Sequence, residues 1–187
     1  MSIEFPLPDN LPIPKDDGLC KHLEGTSVPS VALSSTDREL VDLSSLSGWI
    51  IVYCYPLSGR PGCALPEDWD QIPGARGCTP QSCAFRDEFS RIASMGVRLY
   101  GLSSQSNEYQ SELVQCLHLP FPILSDDKLE LATALKLPTF EIGNQTLIKR
   151  LTLVISDGRI EKVFYPIFPP DKNPMDVIRW LECVGVD

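Results

Sequence analysis

Cys78 and Cys83 are the side chains of this sequence whose type and spacing could do chemistry. Cys78 stands immediately before Thr79–Pro80, which read as the N-cap and first residue of a helix. Backbone N–H groups at a helix mouth lack intrahelical partners, and the helix dipole places partial positive charge there. Both effects favour thiolate over thiol, and the thiolate is the nucleophile. Such a sulfur attacks one oxygen of a peroxide and becomes a sulfenic acid. Cys83 follows five residues later. In regular helix the two Cα atoms would stand roughly 8–9 Å apart, whereas a disulfide needs less than about 7 Å. Two readings stay open on these residues alone. Either the pair are unrelated packing residues, or the first turns unwind after oxidation so that Cys83 condenses with Cys78 and protects it from over-oxidation. Zinc is a weaker reading, because it usually takes four Cys/His ligands and the only histidines, His22 and His118, are remote in sequence.

The composition sets the frame for that chemistry. A chain of 187 residues suits one domain with a real core. The formal net charge of −9 argues against nucleic acid or an anionic membrane as the main partner, since both would repel it. No apolar run approaches the length of a membrane span. The Pro-rich, acidic start lacks the basic and apolar regions of a secretory signal, so a cytoplasmic location is expected. Seven cysteines (Cys20, Cys54, Cys63, Cys78, Cys83, Cys116 and Cys183) are an odd, scattered set, which does not read as a disulfide framework.

The elements that must position Cys78 can be read in order. Residues 1–30 carry no periodicity and read as an irregular N-terminal arm, leaving 31–187 as one domain. Residues 49–55, WIIVYCY, form a nearly continuous apolar run that fits a strand buried on both faces. Residues 56–77 are dense in Pro and Gly and read as one long loop, a length that is often functional. The helix that follows carries Phe85, Phe89 and Ile92 on one face and ends near Gly96. Then come a strand at 97–103, a helix at 107–118, a short strand at 121–125, a helix at 127–136, and a strand at 146–156. An Asp157–Gly158 turn leads to a returning strand at 159–165, and a last helix spans 174–183. Alternating strands and helices predict an α/β domain with a parallel portion and an antiparallel final pair, a central mixed sheet of thioredoxin-like plan.

The segment GCTPQSCAFRDEF (77–89) resembles the active-site helix of the Q-type peroxiredoxins, the bacterioferritin-comigratory-protein group. WIIVYCYP (49–56), LPFPILSD (119–126) and KRLTLVISDGRI (149–160) resemble further segments of that group in the same order, so the likeness covers roughly residues 31–168. The resemblance implies a thioredoxin-like fold and a thiol-dependent peroxidase using no cofactor or metal. Its catalytic residues would be Cys78 as peroxidatic cysteine, Cys83 as resolving cysteine, and Arg150 as the guanidinium that stabilises the thiolate and the departing oxygen. The implied partners are a peroxide and a thioredoxin- or glutaredoxin-type reductant, with a monomer or homodimer as the assembly. Two positions depart from the pattern. Ala75 stands where the group has a Thr or Ser hydroxyl three residues before the cysteine, with Gln71 in place of its Pro, and Gln81 stands where the group often has Glu. The Pro spacing fits Pro56 and Cys63 instead, with Arg60 at the hydroxyl position, which makes Cys63 a rival. Cys78 is preferred, since the helix start, Cys83 and Phe85–Arg86–Asp87 all follow it; residues 61–77 then contain an insertion, and Ser58 or Thr79 is left to supply the hydroxyl.

The remaining residues have plainer readings. Cys116 is a second choice as resolving cysteine, although a packing role on its helix suits it better. Cys54 fits the core, Cys20 and Cys183 carry no implied role, and His118 suits a helix end. Trp69 either covers the active site or anchors the long loop. Other functions compete. A non-catalytic thioredoxin-like redox-sensing or binding module could use the same cysteine pair. A general thiol–disulfide oxidoreductase would need Cys-x-x-Cys, which the chain lacks. A cysteine hydrolase would need a Cys–His arrangement that is not evident.

Overall fold

The computed structural model describes residues 7–60 and 64–186. Nine strands are β1 (Ala32–Ser35), β2 (Leu40–Asp42), β3 (Trp49–Cys54), β4 (Arg98–Ser103), β5 (Ile123–Ser125), β6 (Thr139–Ile142), β7 (Gln145–Ile148), β8 (Leu151–Ser156) and β9 (Arg159–Phe164). Among the described residues the five α-helices are α1 (Cys78–Asp87), α2 (Phe89–Ser94), α3 (Asn107–Leu117), α4 (Glu130–Leu135) and α5 (Asn173–Cys183). None of the described helices is long and apolar enough to cross a membrane. Seven strands form one mixed sheet in the order β2-β1-β5-β4-β3-β8-β9. β3, β4 and β5 run parallel, while β8 and β9 close the edge antiparallel. The α/β class and thioredoxin-like arrangement are those expected.

Strand β3 lies at the centre and explains its own sequence. Ile50, Val52 and Cys54 face a core completed by α4 and by Cys20, Leu23 and Val28 of the N-terminal segment. The alternate residues Ile51, Tyr53 and Tyr55 face a second core built with α1, α2, α3 and α5. A strand buried on both sides has no polar face, so its apolar run is unbroken.

Three differences from the sequence reading bear on the site. First, α1 begins at Cys78 rather than at Pro80. Gly77 is its N-cap at φ 106°, and no side chain caps the helix. Pro80 falls in the first turn, where a missing N–H removes no intrahelical bond. Second, the helix breaks at Glu88 (φ −92°, ψ 0°), so that Phe85 and Phe89 lie on separate segments. Third, residues 146–156 are two strands. β7 pairs with β6 in a separate hairpin and β8 pairs with β3 and β9, the chain crossing between sheets at Lys149–Arg150. Two consecutive charged residues, Lys149 and Arg150, interrupt the alternation at that step, while β-rich residues on both sides make the segment read as one strand.

The long loop is packed rather than loose where it is described. Trp69 is 3% exposed and clusters with Ala75 and Leu147, its ring 6.2 Å from that of Phe140 on β6. It anchors the loop to the β6–β7 hairpin.

Gly77 fixes where α1 starts. Its positive φ suits glycine, and a Cβ there would overlap the Pro170 ring and meet the Leu7 side chain at 3.1 Å. Gly77→Ala should therefore destabilise the fold by about 2–3 kcal/mol, checked by urea unfolding followed through tryptophan fluorescence. Unchanged stability would mean that Pro170 does not pack on the helix start.

Candidate active site

Cys78 is the first residue of α1 and only 4% exposed. Its Sγ lies 3.2 Å from Nη2 of Arg150 and 3.6 Å from the Ala75 carbonyl. Tyr53, Tyr55 and Phe85 share its core cluster. Tyr53 stacks on Phe85 at 4.4 Å and donates its hydroxyl to Ser82 Oγ at 3.1 Å, while burial pushes its phenol well above the usual range. The sulfur thus sits between an aromatic wall and a guanidinium.

Arg150 owes its position to the crossing between β7 and β8. It is 3% exposed, and every nitrogen of its guanidinium is engaged. Nε donates to the Gly74 carbonyl (3.2 Å) and Nη1 to Gln81 Oε1; Nη2 donates to the carbonyls of Ala75 (3.0 Å) and Arg76 (3.2 Å) and to Cys78 Sγ. A single side chain therefore ties the end of the long loop, the first turns of α1 and the candidate nucleophile to the main sheet. Its other acceptors are carbonyl and amide oxygens, so sulfur is the one partner able to carry negative charge. A buried cation without a counter-charge is costly, and a thiolate at Cys78 would supply one.

The two departures from the family pattern acquire physical content here. At position 75 the chain offers a backbone carbonyl to Arg150 in place of a side-chain hydroxyl. Gln81 is fully buried, accepting from Arg150 through Oε1 and donating through Nε2 to Asn173 Oδ1 at 3.0 Å. A Glu would neutralise the guanidinium, whereas the amide holds it and leaves its charge for the sulfur.

Cys83 lies within the same continuous helix and is half-buried. Regular helix geometry keeps its Cα roughly 8–9 Å from that of Cys78 and about 140° around the axis. Both thiols are free. Burial pushes the Cys83 thiol above its ordinary 9.0; Asp87 adds to the rise and Arg86 opposes it.

The other sequence candidates are dispersed. Cys116 is exposed on α3 and Cys183 exposed on α5, while Cys20 and Cys54 are buried in the opposite core. Burial and the carboxylates of Asp17 and Asp16 push Cys20 up to about 12. The rival Cys63 lies outside the described residues. Ser58 is fully buried, with its hydroxyl donated to Gln105 Oε1 at 3.0 Å; Thr79 is half-buried in the first turn of α1. His118 caps α3 in a left-handed conformation, and His22 Nε2 bonds the Leu135 carbonyl at 2.8 Å. Among the described residues no three His, Cys, Asp or Glu side chains gather where one metal could bind. Sequence reasoning missed Asn173 and the use made of Thr152, whose Oγ1 donates to Asn173 Oδ1 at 2.7 Å.

Comparison with known proteins adds relatives to this geometry. The redoxin family profile matches residues 23–178. A chloroplastic peroxiredoxin Q of Sedum lineare is 28% identical over 175 residues, covering 92% of this chain and 85% of that protein. Among solved structures, the peroxidoxin BcpB of Mycobacterium tuberculosis superposes with a TM-score of 0.71 at 21% identity, over 87% of this chain and 99% of that one. The Xanthomonas campestris bacterioferritin comigratory protein, described for its alkyl peroxide reduction activity, gives 0.69 at 18% identity, over 87% and 98% of the two chains.

The burial of Cys83 sets a pH dependence. Thiolate is the reactive form, so a raised pKa withholds it at neutral pH and releases it only as pH climbs past the ordinary value. In reduced protein, alkylation of Cys83 by iodoacetamide, read by peptide mapping, should rise with pH to a midpoint above 9.0. A midpoint below that value would contradict the burial.

Proposed function

The chain belongs to the redoxin family and is a Q-type peroxiredoxin, a thiol-dependent peroxidase; from that premise we propose that its peroxide is reduced at Cys78 and that Cys83 resolves the product. The observation that supports this assignment best is the five-bond clamp of Arg150, which sets a buried positive charge 3.2 Å from Cys78 Sγ.

The proposed cycle balances in three steps. The Cys78 thiolate attacks one peroxide oxygen, forming an S–O bond as the O–O bond breaks; the departing alkoxide or hydroxide takes a proton and leaves as alcohol or water. Arg150 stabilises the anion before attack and the charge that develops on the departing oxygen. Cys78 is then a sulfenic acid. The first turns of α1 unwind, the Cys83 thiolate attacks the Cys78 sulfur, and the S–S bond forms as hydroxide leaves and is protonated to water. A dithiol reductant of thioredoxin or glutaredoxin type attacks the disulfide, leaves with the oxidised pair and returns two thiols.

The cytoplasm is the location proposed, since the odd and scattered set of cysteines does not read as the disulfide framework of a secreted protein. Relatives such as that of Sedum lineare are named chloroplastic. Hydrogen peroxide and organic hydroperoxides are the proposed substrates, and the assembly proposed is a monomer or homodimer.

Treating reduced protein with about one equivalent of hydrogen peroxide, then blocking thiols and mapping cysteines by mass spectrometry, should yield a Cys78–Cys83 disulfide. Arg150→Lys keeps the charge but loses the fork, and should slow the reaction by about 10²-fold. A Cys78–Cys116 bond would move the resolving role. Oxidation at Cys63 with Cys78 untouched would move the active site, and thiols left free in excess peroxide would favour a non-catalytic redox-sensing or binding module.

A further inference from the structure

We propose that Asn173 is a positioning residue for the peroxidatic site: it orients the Gln81 amide that holds Arg150 against Cys78, and so biases α1 toward its folded, peroxide-reactive form. This role rests on Cys78 being the peroxidatic cysteine.

Asn173 is the first residue of α5 and is 1% exposed. Its Oδ1 accepts two bonds, from Thr152 Oγ1 at 2.7 Å and from Gln81 Nε2 at 3.0 Å. A glutamine amide has a donor end and an acceptor end, and either could face Arg150. With Nε2 committed to Asn173, Oε1 is the end turned to the guanidinium. The opposite rotamer would set an NH₂ against guanidinium N–H groups, donor against donor. Thr152 fixes Asn173 in turn, and it stands two residues beyond Arg150, at the start of β8. The bonds thus run in a closed ring from Arg150 to Gln81, to Asn173, to Thr152 and back along β8. The turn at Pro170–Lys172, just before Asn173, packs on the α1 start, where the Pro170 ring leaves no room for a side chain on Gly77.

The ring acts on both steps of the reaction. While α1 is folded, Gln81 keeps Arg150 aimed at the sulfur. When the first turns unwind so that Cys83 can reach Cys78, Gln81 must leave Arg150 and Asn173 together. Removing the Asn173 oxygen therefore weakens the folded form at two points. Peroxide attack slows because Arg150 is less firmly held, and disulfide formation quickens because unwinding has become easier.

The test mixes full-length reduced protein with hydrogen peroxide and follows sulfenic acid and disulfide formation as separate phases by rapid quench and mass spectrometry. Asn173→Ala should slow the first step and speed the second, each by roughly five- to tenfold, and should raise the peroxide dose needed to reach sulfinic acid. Thr152→Val, which keeps the shape and loses the donor, should shift both steps the same ways by roughly two- to threefold; Thr152→Ser should restore wild-type rates. Should Asn173→Ala fail to fold, the Thr152 pair carries the test. Val177→Ala opens a cavity in the same helix outside the ring and should leave both rates near wild type. Rates that are unchanged, rates that move in the same direction, or a Val177→Ala variant that reproduces the split would overturn the role of Asn173. A wild-type protein that does not oxidise at Cys78 would instead overturn the site assignment.

Discussion

The candidate active site depends on placing a permanent positive charge, Arg150, where water barely reaches. A guanidinium has five N–H donors in a rigid plane and cannot shed its proton, so burial obliges the chain to bring acceptors to it. The acceptors come from the carbonyls of Gly74, Ala75 and Arg76, the Gln81 amide and the sulfur of Cys78. The end of the long loop, the start of α1 and the crossing from β7 to β8 are thereby fixed by one side chain. Four of the five groups stay neutral, which leaves the sulfur as the place for the balancing charge.

The same arrangement creates a conflict. On the proposed assignment, an intact α1 serves attack on peroxide because it holds Cys78 against Arg150. It opposes the proposed resolution by Cys83, since helix geometry keeps Cys78 and Cys83 beyond disulfide reach. The first turns of α1 also carry side-chain bonds that can be released together. Gly77 contributes no side-chain cap, and beside their backbone bonds the turns are held by Gln81 to Arg150 and Asn173 and by Ser82 to Tyr53. Local opening of such a segment can cost far less than global unfolding.

Much of this was legible in the residues, and the illegible parts share a cause. The unbroken run of β3 announced a strand buried on both faces, and Phe85 marked the buried side of α1. What failed to register was anything set by a partner distant in sequence. The split between β7 and β8 is marked only by two consecutive charged residues, Lys149 and Arg150, inside a run that is otherwise β-rich on both sides. The break at Glu88 carries no proline or glycine to signal it. Gln81 stood out only as a departure from a family pattern, and Asn173 falls just before the helix read at 174–183. The closure of their ring depends on α5 returning to α1 across some ninety residues of chain. Family likeness pointed to Arg150, but the reason for its burial required the loop carbonyls to be in place.

Unwinding of the α1 start on oxidation is the claim on which the rest turns, and amide hydrogen exchange of residues 81–86 reads it directly. Exchange followed by mass spectrometry should find this segment protected in the reduced protein. After one equivalent of peroxide it should lose that protection, while β3 and β8 remain unchanged. A Cys78–Cys83 disulfide formed with the segment still protected would contradict the separation that an intact α1 imposes on the two thiols. Full protection with the disulfide placed elsewhere would show that α1 stays folded and that Cys83 is not the resolving thiol.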